Sequence, residues 1–296
     1  MTVFTVQSPE AEALPLIFDS PHSGCAYPDD FDFSCDFSIL RQAEDNYVDE
    51  IFACAPAYGA SLLAAQFPRS YIDVNRALCD IDTDLLDENG WPEALYGGIN
   101  PTARADAGIG LIRRLVRPGI PVYSRTLSAE EIHHRIIDYY LPYHQKLAEL
   151  IDQAHYNFGE VWHINCHSMP DSAASPRMPL GIIGRNAART ADFVLGDRDG
   201  STCNVHFTHM IREFLKAKGY KVTINDPFKG VELVRRYSNP ARGRHSLQIE
   251  INKSLYMDET SGQKSKNFNA LQKDIENLVA FIAAHCRAAL IPKAAD

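Results

Sequence analysis

The chain has 296 residues, is 45% hydrophobic and 23% charged, and carries a formal net charge of −9, the balance of an ordinary globular protein rather than a collagenous, disordered or disulfide-stapled one. The acidic balance, without a basic stripe interleaved with aromatics, argues against nucleic-acid binding. Seven cysteines without a C-x-x-C pair, no charged and apolar leader at the start, and no apolar run near the ~18 residues a membrane span needs predict a soluble protein of the reducing cytoplasm with no membrane partner.

In chain order, Leu14-Pro-Leu-Ile-Phe18 reads as a buried strand running into Asp19-Ser-Pro-His22-Ser-Gly24. Val48 to Tyr58 repeats apolar residues at helical spacing and stops at Gly59, and Ser61 to Phe67 is extended. Tyr71-Ile-Asp73-Val-Asn75-Arg76 puts polar groups at a strand end, and residues 77–123 follow with Asp-rich and Gly/Pro-rich pieces of weak periodicity, the kind of long segment that serves as a functional cover. Ser128-Ala-Glu-Glu131 is a capping box opening a helix to about His155, with a kink expected at Pro142.

Val161 to Asn165 is the next strand, running into Asn165-Cys166-His167-Ser168-Met169. Short apolar runs follow at Leu180–Ile183 and Phe193–Leu195, then a helix from Asn204 to Lys218 closed by Gly219 and a strand Tyr220–Ile224. Ser246 to Lys253 alternates strictly, with Leu247, Ile249 and Ile251 on one face and Gln248, Glu250 and Asn252 on the other. That segment is either an edge strand with a wet polar face or a strand that points Glu250 into a site. Ser265 to Arg287 is a closing helix on the sheet. Alternating strands and helices predict one α/β domain, a three-layer sandwich.

Ligands of open α/β sheets bind beyond the carboxyl ends of the strands, so His22 and His167 at two such ends are candidates for one metal site. A catalytic zinc ion takes three protein ligands and keeps a position for water. The exopeptidase pattern H-x-x-E would put the third ligand at position 25, which is Cys25 here. Either that thiolate completes the set or a carboxylate arrives from Glu44-Asp45, and Asp45 is preferred. Cys25 is alternatively a small buried filler, and Asp45 a helix-terminus acid facing the macrodipole. Glu250 is the candidate for proton transfer. Arginine forks for an anionic substrate are available at Arg76, beside Asn75, and at Arg235 near Tyr237. Cys166 beside His167 does not read as a nucleophile and base, because neighbours on a strand point to opposite faces.

Ser20-Pro-His22-Ser-Gly24, Asp45 through Asp49, Tyr71 through Arg76, Asn165 through Met169, Asp192-Phe-Val-Leu-Gly-Asp-Arg-Asp-Gly200, Phe228-Lys-Gly230 with Arg235 and Tyr237, and Gln248-Ile-Glu250 with Tyr256-Met-Asp258 together resemble the N-formylglutamate amidohydrolase family. The resemblance runs in order from about residue 14 to 260. It implies a zinc exopeptidase-like fold with a mixed central sheet (phosphorylase/hydrolase-like), related to carboxypeptidases and aspartoacylases. It also implies one zinc ion on His22 and His167 and Glu250 as base; the departure from H-x-x-E at Cys25 leaves the third ligand open between Asp45, the preferred candidate, Cys25 and Glu44. By the same resemblance Asn75 and Arg76 look like the pair that holds a substrate carboxylate. Tyr237 is a further substrate-side candidate, and Arg113 or Arg235 is read as the arginine that stabilises the developing oxyanion. The expected activity is hydrolysis of N-formyl-L-glutamate, or a related N-acyl acidic amino acid, to formate and the free amino acid, a step of histidine degradation. The alternatives are a small zinc peptidase or deacylase and a metal-free scaffold that binds an acidic metabolite.

Overall fold

Strand-forming segments rich in Leu, Ile, Val and Phe assemble into a central sheet in the computed structural model, which describes residues 2–92, 98–174 and 190–290. In chain order the strands and helices are β1 (Phe4–Gln7), β2 (Leu16–Ser20), α1 (Phe37–Leu40), α2 (Val48–Ile51), β3 (Ser61–Ala65), α3 (Ala103–Asp106), β4 (Leu115–Arg117) and β5 (Ile120–Pro121). There follow α4 (Ala129–Arg135), α5 (Leu141–Phe158), β6 (Val161–Met169), β7 (Phe193–Gly196), α6 (Val205–Ala217), β8 (Val222–Ile224), α7 (Glu232–Tyr237), β9 (Arg244–Asn252) and α8 (Phe268–Leu290). Among the described residues the large sheet has seven strands in the order β1-β3-β2-β6-β9-β7-β8. β2, β6 and β9 run parallel, whereas β7 runs antiparallel to β9. The sheet is therefore mixed, as expected.

The chain divides into two compact units. The first comprises Met1–Thr5, Pro21–Asn46 and Ala64–Ala148, and the second Val6–Ser20, Tyr47–Leu63 and Glu149–Asp296. In the second, one sheet face carries the main apolar core: Leu16, Phe18, Trp162, Ile164, Leu247 and Ile249 pack with residues of α2, α6 and α8, including Phe207, Ile211, Leu271, Ile275 and Leu278. On the opposite face α7 touches β6 and β9, and Tyr237 at its end meets His163 with the rings edge-on at 6.5 Å. Helices thus flank the sheet on both sides, the three-layer arrangement that the alternation of elements predicts.

Several local expectations change. The Val48–Tyr58 segment is one α-helical turn followed by a 3-10 turn, Ala55–Tyr58, because Pro56 has no N–H to continue the ladder. The predicted capping box forms in full at Ser128 and Glu131. Ahead of Pro142 the helix shifts to π spacing over Ile136–Tyr140, which accommodates the missing donor where a kink was expected. Tyr71 to Arg76 is a loop, not a strand end, since β3 stops at Ala65. The strand β6 continues through the whole Asn165–Met169 motif. Most consequentially, β9 lies between β6 and β7, so the edge-strand reading is excluded. The run Leu180–Ile183 lies outside the described residues.

Candidate active site

In the first unit the chain leaves β2 through Pro21-His22-Ser23-Gly24. A Cβ on Gly24 would lie 2.4 Å from Gln66 C and from Phe67 O, so only glycine lets this turn press against that backbone. His22 is buried, with Nε2 2.7 Å from Asp73 Oδ1 and Nδ1 3.3 Å from Asp45 Oδ2. The backbone N–H of Asp45 donates to His22 O at 3.0 Å. Arg69 ties the two carboxylates together: Nε and Nη2 donate to Asp73 Oδ2 at 3.2 and 2.8 Å, and Nη1 to Asp45 Oδ1 at 3.3 Å. Burial alone would raise the Asp73 carboxyl, but Arg69, His22 and Arg76 around it hold it well below the usual range. With Asp73 at Nε2, the Nδ1 edge of His22 is turned toward a carboxylate oxygen of Asp45. The two residues would both be available to a metal ion, and a carboxylate behind the imidazole is the usual support of a metal-binding histidine.

In the second unit, β6 and β9 present a buried polar face opposite the apolar one. His163, Asn165 and His167 stand on it from β6, and Ser246, Gln248 and Glu250 from β9, with Asn165 in register with Gln248 and His167 with Glu250. Asp19 of β2 accepts from His163 Nε2 and Asn165 Nδ2, both at 2.8 Å. Asn165 Oδ1 then accepts from His167 Nε2 at 2.7 Å, which selects the tautomer whose Nδ1 carries the lone pair. Gln248 Nε2 donates to Glu250 Oε1 at 2.8 Å. His22, Asp45 and His167 offer ligand atoms that all lie within 4.8 Å of one another, and all three residues are buried. Two imidazoles and a carboxylate are a donor set that suits zinc, so this group could hold a metal ion.

Of the other candidate ligands, Cys25 is exposed, contrary to the buried-filler reading. Glu44 is buried but engaged by Arg41, Asn46 and the hydroxyl of Tyr27. Asp45 precedes the single turn of α2, whose first-turn acids are Asp49 and Glu50, so the macrodipole does not explain it. Glu250 is 8% exposed and interior to the sheet. Arg76 is buried, its Nε donating to Ile109 O at 3.1 Å and its Nη1 to Asn75 O at 2.9 Å. Asn75 is held beside it by its backbone N–H, which donates to Asp73 Oδ1 at 2.9 Å. Arg113 is 8% exposed and its Nε has no hydrogen-bond acceptor among the described residues. The side chain of Arg235 is 56% exposed and its fork is occupied by Glu232 at 2.7–3.0 Å. Tyr237 is partly buried, and that burial pushes its phenol above the ordinary value. Cys166 belongs to the apolar core, where burial drives its thiol well above the usual range, away from the face that bears His167.

Residues 14–257 match the model of the N-formylglutamate amidohydrolase family. The chain belongs to that family. It is similar to the crystal structure of an N-formylglutamate amidohydrolase from Ralstonia eutropha JMP134, with 43% identity, a TM-score of 0.90 and coverage of 98% of this chain and 100% of the other. An N-formylglutamate deformylase of Pseudomonas putida is 28% identical over 255 residues, 83% of each protein. A gene product of Agrobacterium tumefaciens with 15% identity and a TM-score of 0.62, covering 98% of this chain and 96% of the other, shares the fold.

Sequence reasoning did not single out Arg69, or the pairing of Asp73 with His22, or the Asp19–His163–Asn165 cluster. Asp73 was visible inside its motif, but its role needs a partner 51 residues away, and Asn165 meets Asp19 across 146 residues. The legible signal was a polar residue at every second position of a strand otherwise made of core residues.

Proposed function

We propose that this chain hydrolyses N-formyl-L-glutamate to formate and L-glutamate with a zinc ion bound by His22, Asp45 and His167. The observation that carries this reading is the buried His-Asp-His group, in which Glu250 stands in register beside His167. The family match and the 43% identical amidohydrolase support N-formylglutamate as the substrate. The metal would supply a water of lowered pKa and a Lewis acid for the formyl oxygen.

The chain's own residues do the rest. Glu250, oriented by Gln248, takes the proton of the attacking water and delivers it to the departing amine nitrogen. Asn165 and Asp73 hold the imidazoles of His167 and His22 in the tautomers that face inward. Arg69 and Arg76 are set against Asp45, Asp73 and Asp80, and Arg113 adds a further cation for an acidic substrate. Asn75 and Tyr237 belong to the substrate side, while Arg235 stays in its ion pair. We read the chain as one catalytic domain in which the described parts of segment 77–123, anchored by buried Ile81, Leu85, Leu111 and Ile112, cover a small substrate; residues 93–97 of that segment lie outside the described residues. All seven cysteines are free, which supports a reducing compartment such as the cytoplasm; among the described residues no helix is long and apolar enough to cross a membrane. A place in histidine degradation follows from the substrate.

The test is formate release by zinc-loaded protein from N-formyl-L-glutamate, N-formyl-L-aspartate and N-acetyl-L-glutamate. Turnover of the first, loss on chelation and recovery on adding zinc are expected. An enzyme that releases no formate from the first two would defeat the proposal.

A further inference from the structure

We propose that Arg113, rather than Arg76, is the residue that receives a carboxylate of the substrate. The inference deepens the proposed function and rests on it for the identity of the substrate. Arg76 looks like the natural fork in the sequence, yet its Nε and Nη1 already donate to the carbonyls of Ile109 and Asn75, and Asp73 and Asp80 stand 4.0 Å from it. It clamps one loop to the next and has little left to offer a ligand.

Arg113 is in the opposite condition. It is 8% exposed, and among the described residues its Nε has no acceptor and its Nη1 reaches only Val116 O, at a stretched 3.4 Å. Buried donors are nearly always satisfied, and a guanidinium has five of them in a planar fork. A buried cation left in this state is accounted for by an acceptor that arrives with the ligand. Its place is set by the backbone. The N–H of Asp73 donates to Leu111 O at 2.8 Å, the N–H of Leu111 to Asp80 O at 2.7 Å, and Arg113 bridges to Ile109. The side chain is therefore delivered from a strip tethered to the loop that carries Asp73, Asn75 and Arg76. Burial and the neighbouring Arg69 push the guanidinium down to about 9, with Asp73 and Asp45 opposing, so an added anion is favoured by charge as well as by hydrogen bonds. The ligand class is an aliphatic carboxylate two or three carbons from a hydrolysable amide, and the consequence is selection of acidic over neutral N-formyl amino acids.

Arg113→Met keeps the length and apolar stem while removing the fork. Its KM for N-formyl-L-glutamate should rise roughly 10- to 100-fold, the range of a lost hydrogen-bonded charge, with kcat changed by less than about threefold. KM for a neutral probe, N-formyl-L-leucinamide, should not move. Glutarate, as a competitive inhibitor, should weaken by the same factor as N-formyl-L-glutamate. The Tm of the variant should not fall, because an unpartnered buried charge is replaced by an apolar side chain. Arg113→Lys, which keeps charge without the fork, should lie between, and carries the comparison if the Met variant fails to fold. Unchanged glutarate binding, or an equal fall in kcat for both substrates at constant KM, overturns the assignment. If wild-type protein releases no formate from N-formyl-L-glutamate the functional reading fails instead, and calorimetric binding of glutarate to wild-type and Arg113→Met protein still decides the role of Arg113.

Discussion

The two faces of β6 and β9 differ in almost everything except burial. Trp162, Ile164, Cys166, Leu247, Ile249 and Ile251 make one face part of the apolar core, while His163, Asn165, His167, Ser246, Gln248 and Glu250 make the other a buried polar sheet. The apolar face is stabilised by area removed from water and tolerates any neighbour of the right shape. The polar face is held by bonds among its groups: Ser246 with His163 at 2.7 Å, His163 and Asn165 with Asp19, Asn165 with His167, Gln248 with Glu250. Such a network is costly if one member is lost, and its geometry is specific for the same reason. Substitutions on the two faces should therefore separate function from stability.

The largest effect is expected for His167→Ala on the polar face and for His22→Ala in the first unit. Metal content by elemental analysis should fall to background and formate release with it, while circular dichroism stays native, since catalytic metals sit on a preformed scaffold. Full occupancy in either variant would remove that residue from the ligand set. Glu250→Gln comes next: it keeps shape and removes basicity, so kcat should drop by about 10²–10⁴ at little-changed KM and metal content. Near-normal turnover would hand the proton to another group.

One residue away on the same strand, Ile249→Ala should do the reverse. Urea unfolding should show a loss of about 2–5 kcal/mol, with kcat close to wild type at temperatures where the variant is folded; a kcat that falls in step with stability would erase the division between the faces. Asn165→Leu, which breaks the link from Asp19 to His167, should weaken zinc about 10- to 100-fold in a competition titration. An unaltered affinity would make that cluster structural only. The smallest effect is on pH dependence. His245, stacked on Trp162 with ring centroids 4.1 Å apart, is pushed down to about 4 by burial. Its folded-state pKa lies below the unfolded value of about 6.5, so the folded state binds fewer protons. Stability should be intact above about pH 6.5, decline toward pH 4 and level off below, and His245→Phe should flatten that limb in Tm-against-pH measurements.

The sequence by itself determined what is local. Alternation exposed the two faces of β9, the capping box at Ser128 and Glu131 formed as written, and the polar residues that end or interrupt apolar strands singled out His22, His167 and Glu250. Each of those signals spans a few residues, the reach of dihedral preference and capping. Tertiary structure decided the rest. Whether the polar face of β9 meets water depended on the strand being inserted between β6 and β7, which no property of Ser246 to Lys253 encodes. That Asp45 lies against His22 depended on a contact spanning 23 residues, and Glu44 next to it is engaged instead by Arg41, Asn46 and Tyr27. The exchange of roles between Arg76 and Arg113 has the same origin: a guanidinium is equally able to clamp backbone or receive a ligand, and only packing shows which of its donors are already taken.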